Sequence, residues 1–252
     1  MRRSSHSLVK PTSPYNNPPT TSQTHGKACL PRDGTITRKA IMDAAQGLIL
    51  ETGFSAASVD AVIARAGITK GAFFYHFKSK AELALALVQR DAEADTAHLQ
   101  SVLDRAEALS RDPLQQLLIC IGLYEEETAK LTAPYPGCLY ASFIYESQLF
   151  DDATMQVVRE VFSHWTARIG AKLEAAMAMY PPRLPVNVTT LAEMSLALAE
   201  GAFILSKVQR DPAALAAQWR HYRNYLELLL APQLPSVAGV KRDKLDAPVA
   251  AK

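Results

Sequence analysis

The sequence predicts an all-α protein in two parts: a three-helix front with a helix-turn-helix, and a larger helical back. Three observations carry this. Apolar residues recur three and four apart along most of the chain, and no segment shows sustained period-two alternation bounded by turns. Charge also changes sign along the chain: the formal net charge is +2, but residues 34–90 carry +3 and residues 91–231 carry −7. A basic front and an acidic back imply that only the front meets a polyanion.

Residues 1–33 are rich in Pro, Ser, Thr and Asn with few large apolar groups, so they read as a disordered arm. The first helix comes from "TRKAIMDAAQGLILETG", which places Ile41, Ala44, Ala45, Leu48 and Ile49 on one side and stops at Gly53. "SVDAVIARAG" follows, with Ser58 as N-cap, Val59, Val62, Ile63 and Ala66 as the stripe, and Gly67 as the stop. A third, shorter helix runs from Thr69 to about Phe77. "SKAE" at 79–82 fits a capping box and opens a long helix expected to reach about Leu109. Later breaks fall at Pro113, at "APYPGC", at "YPPRLP" and at "RDPAA". Two strongly striped helices close the fold over 189–208 and 213–230, and residues 232–252 read as a flexible tail. The expected domains are therefore 34–94 and 95–231.

Several function classes find no signature. No HExxH, P-loop, GxSxG or Rossmann glycine pattern is present. Cys29, Cys120 and Cys138 are odd in number and widely spaced, which implies reduced thiols and no disulfide framework. No run approaches the roughly 20 apolar residues of a membrane crossing, and no secretory signal is legible, so no membrane partner and a cytoplasmic location are expected. Glu160 and His164, four apart, lack the second carboxylate and histidine of a bundle metal site, so no metal or cofactor is expected. The acidic run at 125–127 reads as a solvated helix face.

The short third helix carries the chemistry. Stepping about 100° per residue puts Phe77 within about 40° of Phe73 and turns Tyr75 about 200° away. Phe73 and Phe77 should pack inward. Lys70, Gly71, Ala72, Phe74 and Tyr75 should face outward, with His76 on the flank. Small residues, rings and a lysine suit a DNA groove better than water: close approach is possible, a methyl can meet a thymine methyl, and Tyr and Lys reach phosphates. Ser58 and Thr69 open their helices and can present hydroxyls and amides to phosphate. Lys80 is a cation at a helix start, where it opposes the dipole, so a phosphate partner is expected.

Residues 40–87, "AIMDAAQGLILETGFSAASVDAVIARAGITKGAFFYHFKSKAELALAL", resemble the DNA-binding domain of the TetR (tetracycline repressor) family of bacterial transcription regulators. The likeness rests on the Gly-Phe after the first helix, the Ala-Gly-Ile-Thr-Lys-Gly turn, the aromatic run ending in His-Phe, and Lys-Ser-Lys with Glu-Leu beyond it. It implies that the second helix props the third in the major groove, with DNA contacts from Thr69, Lys70, Gly71, Ala72, Phe74, Tyr75, His76 and Lys80. The ring at 74 is commonly tyrosine in that family; phenylalanine here loses a hydroxyl. The resemblance also implies a homodimer through the last two helices, an inverted-repeat operator, and a small-molecule inducer of unstated identity that releases a repressor by swinging the helix that starts at Ser79. Cys138 resembles a Gly-Cys-Leu helix start in one branch, with Glu146 eight residues on. Some members of that branch respond to electrophiles or acyl thioesters. Tyr140, Phe143, Phe162 and Trp165 are the candidate cavity rings. Two alternatives stand beside this: a helical thiol-dependent enzyme using Cys138, and an oligomerisation adaptor that does not bind DNA.

Overall fold

A computed structural model describes residues 34–231. The arm over 1–33, with Cys29, and the tail over 232–252 lie outside the described residues. Among the described residues nine α-helices follow in order: α1 (Gly34–Thr52), α2 (Val59–Ala66), α3 (Lys70–His76), α4 (Lys80–Leu109), α5 (Pro113–Thr128), α6 (Leu139–Tyr145), α7 (Asp152–Met179), α8 (Val188–Gln209) and α9 (Ala214–Leu230). A 3-10 turn, Ser147–Leu149, joins α6 to α7.

The ends of the front helices form where the sequence marks them. Gly53 takes φ +86° and Gly67 φ +66°, left-handed positions that favour glycine. The Ser58 and Thr69 hydroxyls accept the Ala61 and Ala72 amides at 3.1 and 3.2 Å. Ser79 accepts the Glu82 amide at 3.1 Å, and the Glu82 carboxylate reaches back one residue further than a regular capping box, to the Lys78 N–H at 2.6 Å.

Among the described residues two large apolar cores result, with a third, small cluster of Ala202, Phe203 and Leu215 on α8 and α9. In the front core, Ile41, Ala45 and Ile49 of α1, Val62 of α2, Phe73, Phe77, and Leu83, Ala84, Ala86, Leu87 and Val88 of α4 are buried together. This core also takes in Leu139, Tyr140 and Phe143 of α6 and Val158 of α7, so it continues past residue 94, where the first domain is expected to end. The rear core joins Leu99, Val102, Leu103 and Ala106 of α4 with α5, α7, α8 and α9 around Tyr124, Trp219 and Tyr222. At 30 residues, about 45 Å, α4 belongs to both cores and links them mechanically.

Two expectations need correction. The acidic run is not a free solvated face. Glu125 is bound by Arg220 at 2.8 Å and Arg223 at 3.2 Å, and Glu127 meets His98 at 2.9 Å; Glu126 alone pairs within its own exposed turn, with Lys130. Three acids in succession point different ways from a helix, and two of them meet neighbouring helices. Secondly, α8, with 22 residues, contains an 18-residue window of mean hydropathy 1.5 that passes for a membrane span by length and composition alone, and 28% of that window is buried. Its outward side shows Met194, Ile204, Leu205 and Val208, and α9 adds Leu228.

Candidate nucleic-acid interface

Helix α3 is two-sided in the way its spacing predicts. Phe73 and Phe77 are fully buried, whereas Tyr75 is 76% exposed and Phe74 39% exposed. Thr69, Lys70 and Gly71 are exposed with them, and Ala72 and His76 are half-buried. The Tyr75 and His76 rings sit edge to face at 5.0 Å, which fixes the tyrosine's direction. A side chain added at Gly71 would meet nothing closer than the Thr69 hydroxyl at 3.9 Å. Nothing among the described residues therefore demands a small residue there.

The polar groups around this face are available. In their caps the Ser58 and Thr69 hydroxyls act as acceptors, so each O–H remains free to donate. Lys70 stands 3.7 Å from Asp60 with both side chains mostly exposed, a pairing worth little. Lys78 is also exposed and folds onto the Phe74 carbonyl at 3.2 Å. Sequence reasoning did not single it out, although it flanks the same aromatic run and its charge was the available signal.

Lys80 has a different setting from the one its dipole argument predicts. Its ammonium lies 4.1 Å over the Phe54 ring and donates to the Phe54 and Ser55 carbonyls. Burial lowers its pKa, partly opposed by the nearby Glu146 charge. The unfavourable end of the α4 dipole is thus offset by a ring face and two carbonyl oxygens of the α1–α2 turn.

The same turn is held from its other side by Glu146. That carboxylate accepts the Phe54 N–H at 2.7 Å, the Ser55 N–H at 3.0 Å and the Ser55 hydroxyl. Phe54 also packs against Phe143 and Phe150, with ring centroids 5.7 and 4.5 Å away. A turn of the reading head is therefore clamped between Lys80 of α4 and the end of α6.

The candidate cavity residues separate. Cys138 and Phe162 line one cavity. Tyr140 lies beside Phe162 but turns its hydroxyl to Asp95 at 2.7 Å. Phe143 is fully buried under Phe54, Glu146 serves the turn, and Trp165 belongs to the rear core, donating to Ser195 at 2.8 Å. Cys138 caps α6 through the Ala141 amide at 3.4 Å, and burial, then Glu200, push its thiol pKa well above the usual range. That is the reverse of an activated thiolate. Glu160 takes the Gln156 side-chain amide at 2.9 Å, and among the described residues no group of three or more metal-ligating side chains converges.

An exposed reading helix propped on a buried aromatic pair, joined to an acidic helical body, defines a DNA-binding regulator of transcription. Comparison with known proteins agrees. Residues 41–87 match the model of bacterial regulatory proteins of the tetR family, and residues 113–221 match the C-terminal domain of LmrA/YxaF-like transcriptional regulators. The chain belongs to the TetR family. It is similar to an HTH-type transcriptional regulator in the lacX 3' region of Lactococcus lactis subsp. lactis, 26% identical over 69% of this chain and 85% of that one. It is also similar to the HTH-type transcriptional repressor DhaR of Mycobacterium sp. strain GP1, 22% identical over 83% of this chain and 98% of the relative. Among solved structures, a TetR-family regulator from Agrobacterium tumefaciens superposes with a TM-score of 0.63 at 25% identity, covering 79% of this chain and all of its own.

Proposed function

We propose that the protein is a cytoplasmic repressor that holds an inverted-repeat operator as a homodimer and lets go of it when a small molecule enters the regulatory body. The observation that carries this reading is the division of α3: its tyrosine and lysine side is bare while its phenylalanine side is anchored in the front core. Thr69, Lys70, Gly71, Ala72, Phe74, Tyr75 and His76 supply the groove contacts, and Ser58 a phosphate contact from the start of α2. Lys80 acts in support, by fixing the turn beneath the reading helix.

Dimerisation is supported by the outward apolar side of α8 and α9, which a second copy of the same surface would cover. Two reading helices related by a twofold axis would meet half-sites about 34–36 Å apart. The likeness to a relative named as a repressor supports repression. Selection of bound duplexes from a random pool tests the reading: it should return an inverted repeat. Recovery of no sequence preference, or of binding without salt dependence, would overturn it.

A further inference from the structure

A half-open cavity of about 310 Å³ lies on the seam between the front core and the small cluster around Phe203, lined by Leu50 of α1, Cys138 at the start of α6, Phe162 of α7, and Glu200, Phe203 and Lys207 of α8. Glu200 and Lys207 are the two charged side chains of that lining, and they are satisfied differently. Glu200 accepts from the Cys138 thiol; burial raises its pKa and that hydrogen bond opposes the rise. Lys207 is exposed at the mouth and ties α8 across the seam, donating to the Leu50 carbonyl in the last turn of α1 at 3.2 Å and to the Pro136 carbonyl at 3.3 Å. Both of those partners are neutral.

We propose that this cavity binds a small organic anion, a carboxylate on a short apolar body, with the carboxylate on Lys207 and the body against Leu50, Phe162 and Phe203. A hydrogen bond from an ammonium to a carboxylate is about twice as strong as one between neutral groups and clearly better than one to a carbonyl, so the anion displaces Leu50 and Pro136 from the lysine. A cationic ligand would meet Lys207 at the mouth and find Glu200 already occupied. The volume is at the low end of the roughly 300–1,000 Å³ typical of small-molecule sites, which limits the body to a short chain or a single ring. When Lys207 turns to the ligand, α8 loses its hold on the end of α1, one turn before the segment that Glu146 clamps. This deepens the release mechanism proposed above and rests on it.

The test uses the full chain and titration calorimetry without DNA, with butyrate, hexanoate and benzoate against the primary amides of the same acids. At least one acid should bind, and its amide about tenfold or more weaker. Lys207→Gln keeps amide donors for the two carbonyls but removes the charge. It should bring acid affinity down to the level of the amide, with the ligand-free melting temperature unchanged. The proposal is overturned by acid and amide binding alike, by an acid preference that survives Lys207→Gln, or by no binding of any of the three acids. A mobility shift on the selected operator separates the two readings: acid binding through Lys207 with unchanged operator occupancy supports the ligand class and sinks the release mechanism.

Discussion

Glu146 accepts the Phe54 N–H at 2.7 Å, so a carboxylate at the end of α6 caps a turn of the reading head 92 residues earlier in the chain. The hydrogen bond from Ser55 holds this carboxyl's pKa below its ordinary value of 4.5, with the Ser55 and Phe54 amides and Lys80 adding to it. A depressed carboxyl contributes stability above its unfolded pKa and loses it as pH falls through the folded value. The clamp should therefore hold at neutral pH, begin to lose its contribution as pH falls below the ordinary 4.5, and open as pH passes the lower folded value. At neutral pH, Glu146→Gln should cost about 0.5–1.5 kcal/mol, discounted for solvent screening at this half-buried group. Hydrogen exchange should quicken at Phe54 and Ser55 and stay unchanged in α9; uniform protection at all three would contradict the clamp.

Phe73 and Tyr75 are two residues apart and should fail in opposite ways. Truncating the fully buried ring, Phe73→Ala, should destabilise the fold by about 3–5 kcal/mol. Tyr75→Ala, at a bare surface position, should leave stability within about 0.5 kcal/mol and still weaken operator binding. Denaturant melts and mobility shifts on the same two variants decide the matter.

That contrast was legible in the sequence because it depends on local periodicity alone. The same holds for the caps at Ser58, Thr69 and Ser79 and for the reach of α4 to Leu109, which need only a few adjacent residues. What the sequence does not display is long-range pairing. Lys80 looks like a phosphate ligand until Phe54 appears over it, and Glu125 looks solvated until α9 brings Arg220 and Arg223 alongside. Trp165, grouped with Cys138 by its place in the regulatory half, lies in the rear core because α7 spans both cores and successive turns of it face different neighbours.

Lys70 and Lys80 provide a second contrast. Lys70, loosely paired with Asp60, is free to neutralise a phosphate, so Lys70→Ala should lower the salt slope of operator binding by about one and leave the melting temperature alone. Lys80 is committed to the Phe54 ring and two carbonyls. Lys80→Ala should lower the melting temperature and leave the salt slope unchanged. A drop of one in the slope for Lys80→Ala would show that the ammonium leaves Phe54 for DNA.

Asp91 gives the sharpest pH signature in the front core. It accepts the Gln46 side-chain amide at 2.7 Å beside Arg90, yet burial pushes its carboxyl up to about 6. Arg90 offsets part of that rise, while Asp95 and Asp43 add to it. Because the folded pKa lies above the unfolded one, the folded state holds the proton more tightly, and this contribution to stability declines as pH rises from about 4 through 6. Removing the charge should therefore help most on the alkaline side. Asp91→Asn keeps an oxygen for Gln46 and leaves Arg90 its bond to Asp43 at 2.8 Å. The variant should be about 1–2 kcal/mol more stable than the parent at pH 7.5, with the gain fading towards pH 4. Melts across that range check it: a variant less stable at pH 7.5, or a gain independent of pH, would show that Arg90 keeps Asp91 ionised in the folded protein.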